Sequence, residues 1–155
     1  MTPSQAPTTP ERPTPRALVV DDEEAMLEVF SDLLARVGIE VTTENDPRSA
    51  VARLRNGAPF DLIVLDLRMP HLDGHALLAI ARDQRPETPI VVVTGYPSQA
   101  SLDRCRELGV THYFRKPFDP DHLARELRRL LAARLLPAPP EAQAGPSGAG
   151  APGAQ

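Results

Sequence analysis

The sequence predicts an α/β fold in which five strands alternate with five helices. Short apolar runs rich in Val and Ile, typical of strands buried on both faces, are each followed by a segment with apolar residues at helical spacing. This alternation favours a parallel sheet with helices on both faces, joined by right-handed crossovers. The composition agrees, because 155 residues of which 41% are hydrophobic and 25% charged suit one globular domain.

The first strand and helix are indicated by a change of pattern near the start of the chain. The apolar run 17–20 predicts a short buried strand. Apolar residues then recur at helical spacing as far as Val37, and Gly38 supplies the stop expected just past a helix. Residues 39–44 are mostly β-branched and partly alternating, so they predict a second, more exposed strand.

The second helix and the central strand come next. Residues 45–47, Asn-Asp-Pro, offer an N-cap and a first-turn proline, and Asn-Gly at 56–57 ends the helix. Residues 61–66 predict a strand buried on both faces, and Pro70 prevents it from continuing. We therefore expect Asp66 at the carboxyl end of this strand, where α/β proteins bind ligands.

The turn residues Asp73 and Gly74 predict the start of a third helix. Residues 90–93 then predict a fourth buried strand, which ends in Thr94 and Gly95. Because glycine has no Cβ atom, Gly95 would allow the backbone to approach a ligand closely.

The last part of the chain predicts a strand between two helices. Residues 98–108 have helical spacing and are stopped by Gly109. Residues 110–114 predict the fifth strand, which leads to Lys-Pro at 116–117. Asp-Pro at 119–120 then starts the last helix, whose leucines form one stripe.

Several polar residues follow the predicted strands directly. Asp21 and Asp22 follow the first strand, Asp66 the third, Thr94 the fourth and Lys116 the fifth. Because the carboxyl ends of parallel strands share one edge of a sheet, we expect these side chains to lie together. Lys116 is the only lysine beside sixteen arginines, which suggests that its position requires a compact ammonium group.

Four motifs, each at the end of its own strand, resemble the receiver domain of two-component response regulators, most closely the stand-alone, chemotaxis-receiver-like kind. They are Val20-Asp21-Asp22, Leu65-Asp66 through Met69-Pro70 to Asp73-Gly74, Val93-Thr94-Gly95 and Lys116-Pro117-Phe118. The resemblance extends from residue 17 to about residue 134. It implies a flavodoxin-like, doubly wound (βα)5 sheet with strand order 2-1-3-4-5.

Low-complexity segments border the predicted domain. Residues 1–15 and 137–155 each contain five prolines, among Thr, Ser and Gln in the first and Ala and Gly in the second. Neither composition can build a core, so we expect disordered tails around a receiver domain of residues 16–136. No output domain is expected after it.

The resemblance assigns the site residues. In the strand order that receivers share, Asp21 and Asp22 lie beside Asp66, and three carboxylates so close would repel one another unless a hard cation such as Mg²⁺ is bound. By resemblance, Asp22, Asp66 and the backbone carbonyl of Arg68 ligate Mg²⁺ directly, while Asp21 acts largely through water. Asp66 would be the phosphoacceptor, and Lys116 would neutralise charge on the phosphoryl oxygens.

The resemblance also implies a conformational switch. The hydroxyl group of Thr94 would move inward to donate to a phosphoryl oxygen, and Tyr113 would occupy the space that it vacates. The peptide bond at 116–117 is expected to be cis. Arg68 and Tyr96 would flank the route of the attacking water, and their bulk would slow hydrolysis of the acyl phosphate.

The function implied is signalling. We expect a stand-alone receiver that accepts a phosphoryl group from a histidine kinase or phosphotransfer protein and then docks a partner through its fourth helix, fifth strand and fifth helix. It would be a monomer or a phosphorylation-dependent dimer, and its only chemistry would be self-phosphorylation and self-dephosphorylation. Two alternatives stay open: a phosphate-independent pseudo-receiver, and a phosphatase with an aspartyl-phosphate intermediate. Phosphatases that form an aspartyl-phosphate intermediate on a Rossmann-like sheet carry a second Asp two residues after the nucleophile, where this chain has Arg68.

Charge and hydropathy argue against other classes of function. The net charge of -4 disfavours general binding to nucleic acid, so no direct DNA binding is expected. No apolar run approaches the roughly 20 residues needed to cross a bilayer, so membrane spanning is excluded. Nothing at the N-terminus resembles a secretory leader, and the single Cys105 cannot form an internal disulfide. We therefore expect a cytoplasmic protein.

Overall fold

The computed structural model describes residues 14–95, 98–110 and 112–135, and within them the predicted five strands and five helices are present. In chain order they are β1 (Arg16–Val20), α1 (Glu24–Arg36), β2 (Glu40–Glu44), α2 (Pro47–Arg55), β3 (Leu62–Leu65), α3 (Gly74–Gln84), β4 (Ile90–Thr94), α4 (Gln99–Glu107), β5 (His112–Arg115) and α5 (Pro120–Leu135). The strands form one parallel sheet in the order β2-β1-β3-β4-β5, as predicted.

Two apolar clusters fill the space between the sheet and the helices, one on each face. Because successive side chains of a strand point to opposite faces, Ala17 and Val19 of β1 join one cluster and Leu18 and Val20 the other. The first cluster packs under α1 and α5, and the second under α2, α3 and α4. Burial of each large apolar side chain contributes about 1.5–3 kcal/mol, so both faces of the sheet stabilise the frame that carries the site.

The start of α2 and the end of α1 carry the residues predicted for them. Asp46 is the N-cap of α2 and its carboxylate accepts a hydrogen bond from the backbone N–H of Arg48, while Pro47 occupies the first turn. Gly38 follows α1 with a φ of +85°, a left-handed conformation that favours glycine. The apolar stripe of α5 is buried at Leu123, Leu127 and Leu131.

The predicted bounds of two elements near the site were wrong. β5 begins at His112 rather than at residue 110, because the N–H of Val110 donates to the carbonyl of Cys105 and thereby completes the end of α4. Ser98 is the N-cap of α4 and not part of the helix. Among the residues of α4, all of which the structure describes, Cys105 alone is fully buried, and it joins the cluster under α2, α3 and α4.

Two arginines stabilise the edge of the sheet that holds the amino ends of the strands: Arg82 of α3 and Arg85, the residue that caps the end of α3. Arg82 donates to the carbonyls of Leu108 (3.0 Å), Gly109 (2.7 Å), Pro86 (2.9 Å) and Thr88 (3.1 Å). Arg85 donates to the carbonyl of Leu54 at 3.1 Å and to that of Ala58. These bonds join α3 to the ends of α2 and α4, and they satisfy carbonyls that regular structure leaves without partners.

The predicted tails lie almost entirely outside the described residues, and their disorder stays a prediction, as do the domain bounds of 16–136. In the ranges that the structure covers, no helix combines the length and the apolar character needed to span a membrane.

Candidate functional site

The edge of the sheet at the carboxyl ends of the strands collects the polar residues that the sequence singles out. Backbone hydrogen bonds extend the sheet by one residue at each point. The N–H of Asp66 donates to the carbonyl of Val20 at 3.1 Å, and the N–H of Lys116 donates to that of Thr94 at 2.8 Å. These bonds fix where the side chains of Asp66 and Lys116 begin, so the site is positioned by the sheet itself.

Three carboxylates form an acidic pocket at this edge. One carboxylate oxygen from each of Asp21, Asp22 and Asp66 lies within 4.8 Å of the others, close enough to hold a metal ion. Asp21 is 2% exposed and Asp66 6%, whereas Asp22 is open to solvent. Burial raises the pKa of Asp21 although Lys116 and the backbone N–H of Glu23 donate to it. The pocket therefore concentrates negative charge that a bound cation would relieve.

Lys116 reaches into the acidic pocket from the end of β5. Its Nζ atom lies 2.8 Å from Oδ2 of Asp21, 3.2 Å from Oε1 of Glu23 and 3.3 Å from Oδ2 of Asp66. Burial by itself would lower the pKa of Lys116, but the hydrogen bond and the attraction of Asp21, together with the charge of Asp66, raise it overall. The ammonium group is thus held charged beside the predicted phosphoacceptor. The peptide bond between Lys116 and Pro117 is cis, as predicted.

The two predicted switch residues lie on the same face of the sheet. Thr94 is buried at the end of β4, two residues beyond Val92, and Val92 pairs with Tyr113 of β5. Tyr113 is half-buried against the cluster under α2, α3 and α4. Its hydroxyl group is buried and, among the described residues, has no hydrogen-bond partner. The ring is therefore held by packing and not by a polar contact.

A cleft of about 260 Å³ opens over the acidic pocket. It is lined by Asp22, Glu23, Asp66, Arg68, Gly95 and Lys116. Arg68 is exposed at this cleft, and its backbone N–H donates to Oδ1 of Asp66 at 3.3 Å. Tyr96, predicted to flank the route of the attacking water together with Arg68, lies outside the described residues.

Glu23 is a cleft residue that the sequence analysis missed. The available signal was its place as the third acid in the run from Asp21 to Glu24, which looked like the start of a helix. Glu23 is the N-cap of α1, yet its side chain makes no capping hydrogen bond and extends to Lys116 instead.

The loop between β3 and α3 explains the Asp-Gly turn of the sequence. Asp73 is the N-cap of α3 and accepts a hydrogen bond from the N–H of His75. A Cβ atom added to Gly74 would lie 2.3 Å from Cα of Leu67, because the loop passes directly over the first turn of the helix. His71, in the same loop, has a φ of 78°, a left-handed conformation that is uncommon outside glycine. Asp66 therefore stands at the start of a tightly packed loop.

Comparison with protein families gives a match over most of the chain. A family model described as the response regulator receiver domain matches residues 17–128. The transcriptional regulatory protein TcrA of Mycobacterium tuberculosis is 38% identical over 132 residues, which are 84% of this chain and 51% of that protein. The alkaline phosphatase synthesis transcriptional regulatory protein PhoP of Bacillus subtilis is 33% identical over 124 residues, 80% of this chain and 51% of that protein. The chain thus spans about half the length of these relatives.

Solved structures share the fold. A CheY-like response regulator receiver domain protein from Methanospirillum hungatei has a TM-score of 0.75 at 28% identity, covering 79% of this chain and 97% of that one. The chemotaxis protein CheY4 of Vibrio cholerae has a TM-score of 0.70 at 32% identity, covering 76% of this chain and 99% of that one.

Proposed function

The chain belongs to the response regulator receiver domain family, and we propose that it is a phosphorylation-dependent signalling switch with Asp66 as its phosphoacceptor. The observation that carries the proposal is the meeting of Asp66, Lys116 and the acidic pair Asp21 and Asp22 at one edge of the sheet. A carboxylate nucleophile, a fixed ammonium group and a cation-binding pocket are the parts that phosphoryl transfer to a carboxylate requires.

The proposed donor is a phosphohistidine, since receiver domains partner with histidine kinases or histidine phosphotransfer proteins. A carboxylate oxygen of Asp66 attacks the phosphorus atom, and the new O–P bond forms as the P–N bond of the donor breaks. The electron pair of that bond stays on the imidazole nitrogen, which is then protonated. Lys116 neutralises charge on the phosphoryl oxygens during transfer. Hydrolysis later restores the carboxylate, and we propose no other enzymatic activity.

The donor set of the acidic pocket fits Mg²⁺. The pocket offers carboxylate oxygens, the ligands that hard divalent cations prefer, and three such groups with oxygens within 4.8 Å of one another favour a bound cation. We propose that Asp22, Asp66 and the backbone carbonyl of Arg68 ligate the ion directly and that Asp21 acts largely through water. When bound, the ion supplies positive charge to a phosphoryl oxygen.

Thr94 and Tyr113 are the proposed switch. Thr94 donates its hydroxyl to a phosphoryl oxygen after the loop beyond β4 moves inward, and Tyr113 takes the vacated space. Their position on one face of neighbouring strands supports this pairing. The buried hydroxyl group of Tyr113, which has no hydrogen-bond partner among the described residues, supports it as well. The two states need to differ by only a few kcal/mol for phosphorylation to shift the balance.

The proposed output is docking of a protein partner on the face formed by α4, β5 and α5. This face includes α4, in which Cys105 alone among the helix's described residues is fully buried, so a movement of α4 would expose little buried apolar area. We propose that the chain acts in the cytoplasm as a stand-alone switch, monomeric or dimeric on phosphorylation, without direct contact with DNA or membrane. The relatives named transcriptional regulatory proteins are about twice as long, so this part of the proposal needs its own test.

Labelling with radioactive acetyl phosphate tests the phosphoacceptor. We would compare wild type with Asp66→Asn and, as a matched control, with Asp83→Asn, which neutralises an exposed carboxylate at the far end of α3. We expect Mg²⁺-dependent label in wild type and in Asp83→Asn, and none in Asp66→Asn. A folded wild type without label would favour the pseudo-receiver, and steady release of phosphate from phosphoesters would favour the phosphatase.

Fluorescence anisotropy with labelled duplex DNA tests the output. We expect no saturable binding by the phosphorylated protein at physiological salt. Saturable binding that depends on Asp66 would replace partner docking with DNA binding as the output of this chain.

A further inference from the structure

The ammonium group of Lys116 has no hydrogen-bond donor to spare in this structure. A lysine has three N–H donors. Among the described residues, three carboxylates lie within hydrogen-bond distance of Nζ: Asp21 at 2.8 Å, Glu23 at 3.2 Å and Asp66 at 3.3 Å. A phosphoryl oxygen that binds Lys116 must therefore displace one of the three.

The burial of the three carboxylates decides which one leaves. Asp21 is buried, makes the shortest contact and also accepts from the N–H of Glu23 at 3.0 Å, so losing Lys116 would leave a buried charge poorly paired. Asp66 is buried and is the proposed phosphoacceptor, so it stays in the cleft together with the phosphoryl group that it carries. The side chain of Glu23 is 62% exposed, so its carboxylate can return to water at little cost.

We propose that Glu23 is a positioning residue. In the resting state its carboxylate accepts a hydrogen bond from the N–H group of Lys116 that binds the phosphoryl group after phosphorylation. This inference rests on the proposed function. Two observations besides the distance support it. Glu23 lines the same cleft as Asp66 and Lys116, and its side chain leaves the helix end uncapped in order to reach Lys116.

Two consequences follow from the contact. The carboxylate of Glu23 keeps Lys116 aligned in the cleft before phosphorylation. It also places a negative charge where an anionic phosphoryl group must enter, so it opposes binding. Neutralising Glu23 should therefore strengthen the binding of phosphoryl-like anions by about twofold to fivefold, the range of a mostly exposed ion pair.

The sequence offers a clean probe, because Lys116 is its only lysine. Protein labelled with ¹⁵N at the lysine side chain gives one ammonium signal in NMR. We would record it in the resting state for wild type, Glu23→Gln and Glu24→Gln. Glu24→Gln removes the same charge one residue later, where the carboxylate accepts from Asn45 and not from Lys116. We expect the signal to shift in Glu23→Gln alone.

Binding of beryllofluoride, an inorganic mimic of the phosphoryl group, then tests the consequence. Calorimetric titration at a Mg²⁺ concentration that saturates every variant should give a dissociation constant about twofold to fivefold lower for Glu23→Gln, and an unchanged one for Glu24→Gln. Equal constants for the two variants, or an unshifted ammonium signal in Glu23→Gln, would overturn the role of Glu23. If wild type binds no beryllofluoride and takes no label from acetyl phosphate, the proposed function fails first and this inference falls with it.

Discussion

Replacing Gly74 with alanine should destabilise the protein by about 1–3 kcal/mol, the usual cost of forcing an atom into a filled site. The added Cβ atom would lie 2.3 Å from Cα of Leu67 and 2.4 Å from its carbonyl oxygen. Carbon atoms pack best at about 3.5–4.0 Å, so the backbone at Leu67 must retreat by roughly 1 Å or more. Backbone cannot turn away as a flexible side chain can, so the loop that joins Asp66 to α3 takes up the strain.

The net effect is a difference between two contributions. Gly74 is the first residue of α3, where alanine would otherwise favour the helix by up to about 1 kcal/mol. The steric cost must exceed this gain for the variant to be less stable. Because the displaced loop begins at Asp66, labelling by acetyl phosphate should fall in Gly74→Ala as well.

Urea unfolding followed by circular dichroism measures the change, with Gly95→Ala as the control for stability. An added Cβ atom at Gly95 would meet Cβ of Lys116 at 3.9 Å, an ordinary contact, so this variant should stay within about 0.5 kcal/mol of wild type. If Gly74→Ala proved at least as stable as wild type while Gly95→Ala behaved as expected, the close approach of the loop to α3 would be refuted.

Four further predictions concern the site. Tyr113→Phe removes a buried hydroxyl without a described partner, so the free energy of unfolding should stay equal or rise by up to about 1 kcal/mol, and a loss in urea unfolding would reveal a hidden hydrogen bond. Because burial raises the pKa of Asp21 above 3.8, the native state holds this proton more tightly than the unfolded chain, and the stability that this group provides at low pH is lost as the pH rises through the raised pKa. Asp21→Asn should therefore gain stability relative to wild type as the pH rises from 3.8 through the raised pKa in metal-free buffer, and a constant difference would contradict the shift. Added Mg²⁺ should raise the melting temperature of wild type but not of Asp22→Asn, since only binding to the folded state stabilises it; equal rises would remove Asp22 from the metal site. Arg68→Ala should shorten the half-life of the acyl phosphate, as followed by loss of label, and an unchanged half-life would remove Arg68 from the route of water.

The sequence predicted the parts of the site that depend on strand ends. The strands that end just before Asp21, Asp66 and Lys116 determine the edge of the sheet where these side chains emerge, so their presence at one edge follows from the topology. The family resemblance supplied the strand order, which composition and spacing leave open, and the structure confirms it.

The contacts that the sequence could not predict depend on where long side chains end. Glu23 reads as an ordinary acid at a helix start, and only the folded geometry brings its carboxylate to Lys116, 93 residues away. Arg82 likewise binds carbonyls of two separate connections, which nothing in the residues around it indicates. The start of β5 was predicted too early because valine favours strands. In the structure the N–H of Val110 instead donates to the carbonyl of Cys105 at the end of α4. Local propensity gives no access to such long-range partners.

The hydrogen bonds of Arg82 limit which sequence changes the amino-end edge of the sheet can accept. Its guanidinium group binds main-chain oxygens, which every amino acid provides. Side chains at positions 86 and 108 can therefore be exchanged without removing these bonds, provided that the backbone keeps its path. Gly109 is an exception, because its φ is +76° and an added Cβ atom would lie 3.3 Å from Nε of Arg82. Insertions or deletions in the same connections would move the oxygens themselves. This edge of the molecule should thus tolerate drift in composition but not in length.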